Sequence, residues 1–76
     1  MTLLDIPIGG NARLIKTSEG LRSKLRQYGL HIGDCIQVLR AAPLGGPLLV
    51  RVNGREVALG REVAAKMLVE SECASH

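Results

Sequence analysis

At 76 residues the chain holds one small domain, and 46% apolar residues with 22% charged ones suit one compact core. The absence of a Walker-type phosphate loop and the short length argue against an autonomous enzyme. Phe and Trp are absent and Tyr28 stands alone, which removes the aromatic platforms of peptide grooves, RNA-binding sheets and single-strand binders.

The net charge of +3 is unevenly spread. Residues 1–69 carry all 10 Lys and Arg against Asp5, Glu19, Asp34, Glu56 and Glu62, a balance of +5, whereas Glu70 and Glu72 make the end acidic. A basic body suits an acidic partner, nucleic acid or an inner membrane surface; the bland alternative is a solubilising surface. Met1–Asp5 has neither a basic start nor a sustained apolar run, so no signal peptide is expected. The longest uncharged run, Ala41–Val50, is broken by Pro43, Gly45, Gly46 and Pro47, so no membrane insertion is expected. Two cysteines are too few for a secreted disulfide scaffold, and Cys35 and Cys73 read as reduced cytoplasmic thiols.

In chain order, Leu3, Leu4, Ile6 and Ile8 are expected to cover one end of the core, and residues 11–17 read as a strand. Ser18 suits a helix N-cap, with Glu19 in the first turn and Leu21, Leu25 and Tyr28 on one stripe. Gly29 stands where a left-handed C-cap belongs, which predicts a helix of two to three turns. Gly33-Asp34 turns into a second strand, residues 35–41. The run Ala42-Pro43-Leu44-Gly45-Gly46-Pro47 cannot be regular, because proline lacks a donor and glycine admits positive φ. A third strand, 48–52, leads through Asn53-Gly54, a type I′ hairpin signal, into a return strand, 55–59. Val63, Ala64 and Met67 follow at helical spacing, and Leu68-Val69 is expected to close the sheet. The expected fold is mainly β, a small closed barrel of about five strands over residues 1–69, with a helix after the first strand, a helical turn before the last and an acidic flexible tail over 70–76.

Three groups of residues carry candidate chemistry. His31, Cys35, Cys73 and His76 form a two-Cys, two-His set of the kind that tetrahedral zinc accepts. Against it, Cys35 reads equally as a buried thiol, His31 as a solvated turn residue, and Cys73 and His76 as part of a frayed end. Arg22 and Arg26 at i and i+4 can reach one acidic patch, or simply form a solvated helix face. The loop of Pro43, Leu44, Gly45, Gly46 and Pro47 either presents Leu44 as a docking knob or folds it back over the barrel mouth. No nucleophile, base and oxyanion hole stand at recognisable spacing.

The run Leu21-(x)3-Leu25-(x)2-Tyr28-Gly29-Leu30-(x)2-Gly33-Asp34, the Ala42–Pro47 loop and Ala58-Leu59-Gly60-Arg61-Glu62-Val63-Ala64 together resemble the ferrous iron transport protein A (FeoA) family. The likeness runs from Leu3 to Val69; Ile32 departs from it, standing where the family often has proline. The resemblance implies an SH3-like barrel and a cytosolic accessory protein supporting FeoB, the GTP-dependent membrane transporter of ferrous iron. On this basis Leu44 in its proline frame and the Arg22/Arg26 face are expected to contact the transporter. No cofactor is required, although zinc or iron would suit the Cys/His set. The alternatives are a free-standing SH3-like regulator of a metal-responsive system and a transition-metal-binding protein. A nucleic-acid-binding barrel is disfavoured by the poor aromatic content. A homodimer through an edge strand or a shared metal stays open.

Overall fold

The computed structural model describes residues 1–71 and Cys73. A 3₁₀ turn, Leu3–Asp5, opens the chain, and the Asp5 carboxylate accepts from the Thr2 N–H at 2.8 Å. Then follow β1 (Asn11–Lys16), α1 (Glu19–Gln27), β2 (Cys35–Ala41), β3 (Leu48–Val52), β4 (Arg55–Leu59), α2 (Arg61–Ala64) and β5 (Leu68–Glu70). All strand pairs are antiparallel, in the order β4-β3-β2-β1-β5. Among the described residues no ladder joins β4 to β5, so the hydrogen bonds do not close the sheet as a barrel of this kind was expected to close. The two edges instead meet through the core: Leu59 of β4 and Val69 of β5 belong to the same buried cluster.

Alternation with period two sets which side chains face inward. Ala12 and Leu14 of β1, Ile36 and Val38 of β2, and Leu48, Val50 and Val52 of β3 are all buried. Register shifts between Leu14 and Lys16, and between Val38 and Arg40, let these strands bend around a core of aliphatic side chains and one methionine. Leu3, Ile6, Leu25, Leu30, Val63, Ala64 and Met67 complete it.

The Ser18 hydroxyl accepts from the Leu21 N–H at 3.3 Å, capping α1 as expected. The apolar stripe departs from expectation at its end. α1 stops at Gln27, so Tyr28 is its C-cap and is exposed, while Leu30 enters the core after Gly29 reverses the chain at φ +83°. At the N-terminus only Leu3 and Ile6 are buried, and Leu4 and Ile8 face outward. Glu70, placed by the sequence in the tail, is the last residue of β5 and lies opposite Arg13.

Candidate docking site

The loop between β2 and β3 is built by two backbone hydrogen bonds. The Ala42 N–H donates to the Pro47 carbonyl at 2.9 Å, and the Gly46 N–H donates to the Pro43 carbonyl at 3.2 Å. Inside this turn Leu44 and Gly45 have φ of +59° and +75°. Glycine adopts such a conformation freely, but a leucine there costs about 1–2 kcal/mol. Gly46 is required for a different reason, because a Cβ at that position would stand 2.6 Å from the Ala42 methyl. The turn projects Leu44 into solvent, fully exposed, and the alternative in which it folds back over the barrel is overturned. A bulky apolar side chain thus occupies a strained backbone position with no burial to offset it.

Two grooves flank α1. One, of about 550 Å³, is lined by the loop residues Gly45, Gly46 and Pro47 together with Lys24, Tyr28 and Arg61. The other, of about 240 Å³, has the buried Leu14, Leu25 and Leu30 in its wall beside the exposed Arg22, Arg26 and His31. Arg22 and Arg26 therefore share one groove, as their spacing predicts, but not the groove of the loop. The charged neighbours of the loop are Lys24, Arg61 and Glu62, none of which the sequence spacing places there. Arg61 stands 14 residues beyond Pro47, and only the β3–β4 hairpin returns it to the loop. Arg13 is paired with Glu70 at 3.9 Å and Arg51 with Glu56 at 3.2 Å, whereas Arg22, Lys24, Arg26 and Arg61 make no ion pair among the described residues.

Among the described residues, His31, Cys35 and Cys73 do not assemble as a metal cluster. Cys35 and Cys73 are joined by a disulfide, with Cα atoms 6.0 Å apart, which corrects their assignment as reduced thiols. The physical reason is topological: only β1 lies between β2 and β5, and Cys73, three residues beyond the end of β5, stands beside the first residue of β2. His31 is held by Asp34. The Asp34 carboxylate accepts from the His31 backbone N–H at 2.8 Å and lies 3.7 Å from its Nδ1, and the Asn53 amide donates to it at 3.5 Å. Among the described residues no group of three or more His, Cys, Asp or Glu side chains is placed to hold a metal ion. His76 lies outside the described residues. No helix among them is long and apolar enough to cross a membrane.

Several solved structures share this architecture. Iron(II) transport protein A from Clostridium thermocellum is 30% identical with a TM-score of 0.84, over 93% of this chain and 45% of that one. This chain thus spans less than half of that relative. The FeoA protein from Chlorobium tepidum is 29% identical with a TM-score of 0.84, over the whole of this chain and 74% of its own. Stenotrophomonas maltophilia FeoA, a prokaryotic SH3 domain protein complexed with zinc, is 26% identical with a TM-score of 0.74, over 92% of this chain and 89% of that one. The curated proteins give no match. These likenesses agree with the SH3-like sheet order described above. A model of the FeoA domain matches residues 1–71, nearly the whole chain, and the protein belongs to the FeoA family.

Proposed function

We propose that this protein is a small cytosolic accessory protein of ferrous iron uptake that docks on the cytosolic part of a FeoB-type GTP-dependent transporter. Family membership and the iron(II) transport name of the Clostridium relative support the pathway. The observation that carries the docking step is Leu44, held fully exposed in a left-handed conformation at the tip of a loop bounded by two prolines. Conformational cost without burial is expected of a residue whose partner lies on another molecule. Lys24 and Arg61 beside the loop, with one carboxylate, Glu62, among them, and Arg22 and Arg26 across α1 leave an excess of cations, unpaired among the described residues, for an acidic counterpart. The protein acts by binding one transporter state better than another, since equal affinity for both would shift nothing. Docking itself makes and breaks no covalent bond.

The test is retention of full-length transporter in detergent by the immobilised protein, with GDP, with a GTP analogue and without nucleotide. Retention that depends on nucleotide, and that Leu44→Asp abolishes while the fold is kept, supports the reading. Undiminished retention by Leu44→Asp removes the loop from the mechanism. The second reading, a transition-metal-binding protein, draws on the zinc complex of the Stenotrophomonas relative. It calls for thiolates at Cys35 and Cys73, where this chain has a disulfide.

A further inference from the structure

Cys35 opens β2 and stands next to the Asp34 turn, with Arg13 of β1 as its cross-strand partner. On its other side Arg13 is partnered by Glu70 of β5, and Cys73 lies three residues further on. The Cys35–Cys73 bond therefore joins a residue just beyond β5 to the first residue of β2, with Arg13 of β1 between the two strands. Little else fastens the exit of β5. β5 has three residues, of which only Val69 is buried, and a register shift interrupts its ladder with β1. Its remaining support comes from the exposed Arg13–Glu70 ion pair at 3.9 Å and from the N-terminal segment, where Thr2 bridges Leu68 and the Met1 carbonyl accepts from the Val69 N–H at 2.9 Å. Both cysteines are half-buried and outside the sealed core.

From this geometry we propose that Cys35–Cys73 is a thiol–disulfide exchange site, with thiols of the glutathione class as reactant, that fastens and releases the β5 edge. In reduction, the thiolate of one such thiol attacks a cysteine sulfur. The Cys35–Cys73 bond breaks, and the other cysteine leaves as a thiolate that takes up a proton. A second thiolate then attacks the mixed disulfide and releases the remaining cysteine, which is protonated in turn. Two electrons pass from two thiols to the protein, the two thiols end as their own disulfide, and the protons they gave up reside on Cys35 and Cys73. Oxidation runs the same steps backwards. The exchange role rests on the cytosolic location proposed above, because a disulfide in a reducing compartment is most often of this exchangeable kind. The site lies at the opposite end of β2 from Leu44, a span of about 20 Å for a seven-residue strand. It thus works without the docking loop, and either can fail alone.

The experiment equilibrates the purified chain in mixtures of reduced and oxidised glutathione, reading thiol alkylation by mass and amide hydrogen exchange by residue. The expected result is alkylation of both cysteines together as reduced glutathione comes into excess. Exchange at Leu68–Glu70 rises about tenfold or more in the same range as these residues lose most of their protection, while β3 and β4, although speeded by the overall loss of stability, stay protected. Cys73→Ser shows the fast pattern in every mixture. Three results overturn the proposal: a bond that excess reduced glutathione leaves intact, thiols that oxidised glutathione never joins, or reduction that leaves exchange at Leu68–Glu70 unaltered.

Discussion

The molecule contains two tight turns with the same backbone signature and opposite chemistry. Between β3 and β4, Asn53 and Gly54 take φ of +52° and +79°; between β2 and β3, Leu44 and Gly45 take +59° and +75°. Asn-Gly is suited to that conformation, and Asn53 also donates to Asp34 at 3.5 Å. Leucine is not suited to it, and its side chain touches nothing that would offset the strain. The first turn is explained by the hairpin it closes. The second is explained only by what Leu44 presents outward, and that difference separates a structural turn from a recognition turn in one small domain.

Both turns lie inside the loop that Cys35–Cys73 closes, with a sequence separation of 38. Opening that loop by reduction should lower stability by about 4 kcal/mol on chain-entropy grounds, measured as a shift of the urea midpoint. Because reduction acts on the unfolded chain and, in the folded one, on the β5 edge away from both turns, the increments from turn substitutions should be equal in the oxidised and reduced protein to about 0.5 kcal/mol. Unequal increments would mean that the disulfide supports the turns directly.

Gly46→Val tests the scaffold of the recognition turn. Its Cβ would collide with Ala42, and we expect a loss of about 2 kcal/mol in thermal unfolding. Asn53→Leu makes the structural turn resemble the other, and should cost about 1–2 kcal/mol, since a leucine then sits at positive φ there as well. The smallest effect has the opposite sign: Leu44→Asn should raise stability by up to about 1 kcal/mol while transporter retention falls. Destabilisation by Leu44→Asn would make Leu44 a structural residue and remove the observation on which docking rests.

Most of the fold was legible because its signals are local. The sequence-derived strands 35–41, 48–52 and 55–59 coincide with β2, β3 and β4, since period-two alternation and the Asn53-Gly54 turn leave little freedom in register. Ser18 and Gly29 likewise bound α1 through contacts a few residues apart. Illegible features depend on what lies between distant segments. The Cys35–Cys73 bond requires β1 to lie between β2 and β5, and no spacing rule reports that order. The separation of Arg22 and Arg26 from the loop follows from the angle at which α1 packs, which places Lys24 and Tyr28 on the loop side instead. Tyr28 itself fits the helical period, but the period does not reveal that the helix ends one residue before it.

That position of Tyr28 gives the protein an optical label without engineering. It is the sole aromatic side chain of the chain, and it lines the groove beside Gly45, Gly46 and Pro47 rather than the core. Its emission therefore comes from one known place. An occupant of the groove should alter that emission while the aliphatic interior contributes none, so a titration with any tyrosine- and tryptophan-free peptide reads events at the loop alone.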